Sequence, residues 1–154
     1  MNHLRTPMQR RALLALLLAT PLAARAATPT LVEIWKSPTC GCCEDWMALM
    51  QAGGFSTKTY NQGNDAIRRA LRMPAKLGSC HTAMVGGYAI EGHVPVREVK
   101  RLLCEKPDAV GLAVPGMPIG SAGMDGPAYQ GRRDPYDVLL VLRDGSTRVY
   151  QSYR

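Results

Sequence analysis

From residue 31 to residue 106 the chain alternates short β-prone runs with segments of helical period. Leu31 to Trp35 (LVEIW) is a short apolar, β-prone run, followed by the loop KSPTCGCC. EDWMALMQAGG then opens on acidic residues, repeats Trp46, Leu49 and Met50 at helical spacing, and stops at Gly53-Gly54. Ser56 to Tyr60 (STKTY) shows β-branched alternation, and NDAIRRALRM carries an apolar stripe of Ala66, Ile67, Ala70 and Leu71 before the breaker Pro74. HTAMV and YAIEG flank Gly86-Gly87, a composition that favours a tight hairpin turn. Pro95 can occupy the first turn of PVREVKRLLCEK, whose Val96, Val99, Leu102 and Leu103 share one face.

The predicted order is β-α-β-α-β-β-α, with a CxxC (Cys40 to Cys43) between the first strand and the first helix. That combination reads as an α/β chain with a thioredoxin-like fold. Pro107 to Pro135 breaks the rhythm: it holds six of the 15 glycines and five of the 11 prolines, and it reads as a long loop. YDVLLVL and TRVYQSY around Asp144-Gly145 then read as a C-terminal β-hairpin spanning 136–154.

The first 26 residues have a basic start (Arg5, Arg10, Arg11), an apolar run from Ala12 to Ala19, and Ala24-Arg25-Ala26 as a small-residue cleavage site. They read as a secretory signal peptide cleaved after Ala26, leaving residues 27–154 as one domain in the periplasm. The apolar run is much shorter than the roughly 20 residues that cross a bilayer, so no membrane span is expected. Four of the 19 Lys and Arg residues leave with the leader and none of the 12 acidic ones, so much of the +7 formal charge belongs to targeting. No basic run longer than a pair remains, which argues against a nucleic-acid partner.

Exported cysteines usually pair, but five is an odd number, and three of them crowd into Cys40, Cys42 and Cys43. The following helix start favours thiolates, which serves a nucleophile and a metal ligand alike. In the predicted topology the first strand ends at the cysteine loop, the third begins there and the fourth returns there. Cys80, His81 and His93 therefore approach Cys40, Cys42 and Cys43. Such thiolates and imidazoles, with Met117 and Met124 from the long loop as thioether donors, form a soft set that suits Cu(I) first and zinc second.

Other readings of the same residues stay open. Cys40 and Cys43 also suit a thiol-disulfide oxidoreductase, and Cys43 with Cys80 a structural bridge, whereas adjacent Cys42 and Cys43 are hard to bridge. His93 reads equally well as an exposed imidazole before a helix-starting proline. Cys104 lies off the centre of its helix stripe and is expected away from the site.

SPTCGCCEDWMALMQAGGF, GSCHTAMVGGYAIEGHVP and LAVPGMPIGSAGM resemble, in that order, the three motif blocks of the CopG-like family of small exported bacterial copper-binding proteins. The resemblance covers most of Leu31 to Met124. It implies a thioredoxin-like periplasmic domain that binds copper, including as a multinuclear cluster, and that changes copper's oxidation state between Cu(I) and Cu(II) as a copper-dependent oxidoreductase. Carried over by position, Cys40, Cys42, Cys43, Cys80 and His81 are its ligands, with His93, Met117 and Met124 added. Copper ions and other periplasmic copper-handling proteins are the implied partners.

Overall fold

In β1 (Leu31–Lys36) the side chains of Val32, Ile34 and Lys36 are buried, Glu33 and Trp35 are half-buried and Leu31 is exposed, the alternation that a pleated strand imposes on its two faces. The computed structural model describes residues 28–154, so the expected leader and its cleavage after Ala26 lie outside the described residues.

β1 pairs in parallel with β2 (Ser56–Tyr60) and antiparallel with β3 (His81–Val85). β3 turns into β4 (Tyr88–Glu91) through Gly86 and Gly87, both at positive φ (55° and 84°), as a two-residue hairpin turn requires. β5 (Gly111–Ala113) adds in parallel to β4, and β6 (Tyr136–Val141) and β7 (Thr147–Tyr153) extend the sheet antiparallel. The strand order is β2-β1-β3-β4-β5-β6-β7.

Register aligns Ile34, Ala83, Ile90, Leu112 and Leu140 in one row across five strands, and all five are fully buried. Burying each of the larger members contributes about 2 kcal/mol. Trp46 and Met50 of α1 (Gly41–Ala52) and Val99 and Leu102 of α3 (Val96–Glu105) pack into the same cluster. Ala89 and Ala113 alternate with that row and join Met73, Leu77, Val110 and Val141 in a second cluster after α2 (Asp65–Ala70). Among the described residues, no helix is long and apolar enough to cross a membrane.

Through α3 the order β-α-β-α-β-β-α is the one the sequence pattern predicts. Two boundaries differ in ways that matter. α1 begins at Gly41, ahead of its acidic residues, because the extended Cys40 takes the N-cap position and nothing in Gly41-Cys42-Cys43 interrupts helical geometry. Cys42 and Cys43 therefore lie inside the first turn. The segment 107–135 is also not structureless: Ala109 to Val114 is buried throughout and contains β5, and a 3-10 turn spans Pro127–Tyr129. Gly111 is required there, because a Cβ would stand 1.7 Å from the Ala89 carbonyl oxygen of the neighbouring strand.

Candidate metal centre

Strand pairing builds the site. Lys36, the last residue of β1, is opposite His81, the first of β3. Thr82 is opposite Glu91, so the chain leaving β4 brings Gly92 and His93 back to the same end, where the Gly92 N–H donates to the His81 carbonyl at 3.0 Å. The turn after β1 closes through Cys40 N–H to the Ser37 carbonyl at 3.2 Å and delivers three cysteines to the start of α1.

Four sulfurs meet there. Cys40 and Cys43 are joined in a disulfide, with Cα atoms 5.5 Å apart, while Cys42 and Cys80 are free. Cys42 Sγ lies 3.7 Å from Cys40 Sγ and 3.9 Å from Cys80 Sγ, and Cys43 Sγ lies 3.6 Å from Cys80 Sγ. Cys43 is completely buried and the other three are half-buried. A Cys43–Cys80 bridge is thus not the pairing formed, and exposed Cys104 on α3 belongs to neither metal-competent group. Burial, reinforced by neighbouring Cys42, pushes the Cys80 thiol up to about 12, against the Ser79 hydroxyl. A cation that displaced its proton would relieve that penalty.

Two imidazoles face the same sulfur. His93 Nε2 is 3.0 Å and His81 Nδ1 is 3.4 Å from Cys80 Sγ. His93 donates its Nδ1–H to the Ala122 carbonyl at 2.8 Å, which leaves the Nε2 lone pair toward the sulfur. His93 is fully buried rather than exposed, and the long loop reaches it through the Ala122 carbonyl. Burial, then the neighbouring His93, pushes His81 down to about 3, against the Gly92 backbone. Burial also lowers His93, opposed by Ala122. Both rings are therefore neutral, the form that binds metal.

The Nε2 of His81 is buried without a hydrogen-bond partner, a state that costs about 1–3 kcal/mol. Trp46 packs against the ring in a tilted arrangement, with centroids 4.4 Å apart and the planes at 44°. Among the described residues the donors form two overlapping groups, Cys40-Cys42-Cys43-Cys80 and Cys80-His81-His93, each with its ligand atoms within 4.8 Å of one another. This set of soft sulfurs and neutral imidazoles fits a thiophilic metal ion.

Residues that the sequence pattern did not single out hold the second cysteine motif in place. Glu91 is fully buried and its carboxylate accepts from the Ser79 N–H at 2.7 Å, the Thr82 hydroxyl at 2.6 Å and Arg68 Nε at 3.0 Å. Arg68 and Asn64 also donate to the Ser79 carbonyl, at 2.9 and 3.2 Å. Burial raises the Glu91 pKa, against these donors. Lys36, only 2% exposed, pairs with Glu44 at 2.7 Å, and its charge adds to the depression of His81. An acidic residue at the end of the apolar YAIE run was the one available signal for Glu91.

The long loop reaches the site mainly by backbone. Its link is the Ala122 carbonyl on His93, and Gly123 packs so closely on α1 that a Cβ would lie 2.7 Å from the Trp46 backbone nitrogen and 3.2 Å from the Cys42 carbonyl oxygen. Met124 is buried, with its sulfur accepting from the Tyr129 hydroxyl at 3.2 Å. Met117 is 52% exposed beside Gly116, whose carbonyl accepts from the Ser79 hydroxyl.

A family model described as "Protein of unknown function, DUF411" matches residues 77–124, the stretch that carries Cys80, His81, His93 and Ala122. No curated protein sequence matches significantly. The solved structure "Copper resistance protein copG- Form 2" is 37% identical, with a TM-score of 0.75, and the match covers 82% of this chain and 99% of that one. "Copper resistance protein copG- Form 1" matches at the same identity and TM-score over 81% of this chain and 98% of that one.

Proposed function

This chain belongs to the family of the copper resistance protein CopG, and on that premise we propose that it is an exported periplasmic protein that binds copper as Cu(I) and serves copper resistance. Cys40, Cys42, Cys43, Cys80, His81 and His93 are the proposed ligands. Met117 is the thioether free to join them from the loop, since the Met124 sulfur already accepts from Tyr129. The observation that carries the reading is the Cys80 sulfur, common to a four-sulfur group and to a pair of neutral imidazoles. A thiolate shared in this way suits a site with more than one copper ion.

Copper is cargo in this reading. Thiolates favour the monovalent state, and neutral imidazoles are also compatible with Cu(II), so the site is suited to a change of copper oxidation state. Zinc is the weaker candidate for so sulfur-rich a set. Other periplasmic copper-handling proteins are the proposed donors or acceptors of the ion.

Anaerobic loading of the reduced protein with Cu(I) tests the proposal. Copper should stay bound against a moderate chelator and be lost when Cys42→Ser and Cys80→Ser are combined. Failure to retain copper, or unchanged uptake in the double variant, would overturn it.

A second reading is favoured by one observation: Cys40 and Cys43 form a disulfide at the start of α1, with Cys40 half-exposed and Cys43 buried. That is the arrangement of a thiol-disulfide oxidoreductase, which uses the accessible sulfur as its point of attack. Such an enzyme keeps its disulfide-reducing activity after Cys42→Ser and is indifferent to copper.

A further inference from the structure

The two donor groups overlap only at the Cys80 sulfur, and only the first contains the Cys40–Cys43 disulfide. While that bond is closed, Cys40 and Cys43 have no thiolate to offer a metal. The other group is untouched: in the same disulfide-bonded structure, His93 and His81 stand 3.0 and 3.4 Å from the free Cys80 sulfur, and Ala122 still fixes the His93 tautomer. The donor cluster therefore divides into a part that opens and closes with thiol redox chemistry and a part that is assembled even when the first is closed.

The disulfide is also placed for exchange rather than sequestered. Each of its sulfurs has a free thiol beside it, Cys42 at 3.7 Å from Cys40 and Cys80 at 3.6 Å from Cys43. Neighbouring thiols of this kind are the partners through which disulfides open and isomerise.

We propose that the Cys40–Cys43 couple is a redox gate on copper capacity, an inference that rests on the copper-binding reading above. Closed, the protein holds copper through Cys80, His81 and His93, with Cys42 as the one further free thiol beside them; opened by a dithiol reductant, it gains the Cys40 and Cys43 thiolates, completes the four-sulfur group and holds more. In the opening step one thiolate of the reductant attacks the half-exposed Cys40 sulfur, the Cys40–Cys43 bond breaks, and Cys43 leaves as a thiolate at the first turn of α1, where unpaired N–H groups favour its charge. The second thiol of the reductant then attacks the mixed disulfide and releases Cys40. One reductant dithiol becomes one disulfide, two electrons and two protons pass to the protein, and two cysteine thiols result.

The experiment compares the full protein in two preparations, one oxidised and shown by peptide mass mapping to contain the Cys40–Cys43 bond, the other reduced with a dithiol and desalted without oxygen. Both receive Cu(I) as a chelator complex, and copper retained per chain is measured alongside free thiols. Reduction should raise retained copper by about twofold or more, because metal binding follows the number of thiolates available. The combination Cys40→Ser and Cys43→Ser should hold the closed-state amount with or without dithiol. Equal copper in the two wild-type preparations would overturn the gate and leave copper binding standing. Copper in the reduced preparation alone would also overturn it, since the imidazole group would then not stand by itself. Copper in neither would instead overturn the proposed function.

Discussion

His93 presents its Nε2 to the sulfur of Cys80 at 3.0 Å while its Nδ1–H is held by the Ala122 carbonyl at 2.8 Å. One imidazole thus joins the second cysteine motif to a loop residue 29 positions along the chain. His93→Ala removes the donor nitrogen and releases the loop together. Copper affinity, measured by chelator competition on the reduced protein, should fall by about 10-fold or more, and amide exchange across residues 120–125 should speed up.

Gly123 offers a test that leaves every ligand in place. Its φ is +82°, and a Cβ there would press on the Trp46 nitrogen and the Cys42 carbonyl. Gly123→Ala should destabilise the protein by about 1–3 kcal/mol in chemical unfolding. It should also weaken copper binding by displacing Ala122 from His93.

The legible parts of this fold were those with local signals. β1, β3 and β4 show apolar runs bounded by turn residues, and Gly86-Gly87 marks the hairpin. β5 was hidden because the buried Ala109 to Val114 run is split by Gly111 and lies among prolines and glycines. A three-residue strand buried on both faces shows no alternation to read. At the site, Cys40, Cys42, Cys43, Cys80 and His81 were marked by their crowding and are brought together. The burial of His93 was not legible, because it depends on a carbonyl supplied from the distant loop. The Arg68–Glu91 pair was hidden for the same reason, its partners being joined only by the fold.

Glu91 and Arg68 form a buried ion pair that holds the Ser79 backbone next to Cys80. Glu91→Gln leaves Arg68 with the exposed Asp65 as its charged partner and should cost about 1–3 kcal/mol of stability in a denaturant titration. Copper affinity should fall less than in His93→Ala, because Cys80 keeps its thiol and loses only its bracing.

His81 gives a pH signature. Burial lowers its folded pKa from the usual imidazole value to about 3, so the unfolded chain binds its proton more readily than the native one. The stability contributed by neutral His81 is complete above the unfolded pKa and is lost as pH falls from there toward the folded value. The metal-free protein should therefore lose stability between about pH 6.5 and pH 3. His81→Phe should flatten that part of the profile, measured as unfolding free energy against pH, while His93, also lowered by burial, keeps its own contribution of the same sign.

In the proposed function Cys80 joins thiolates and imidazoles in one copper site. X-ray absorption at the copper edge, on the reduced protein loaded with Cu(I), tests it most directly. Sulfur and imidazole nitrogen should appear together around copper, with both contributions altered in Cys80→Ser. Copper surrounded by nitrogen and oxygen alone, or a Cys80→Ser spectrum identical to that of the unmodified protein, would contradict it.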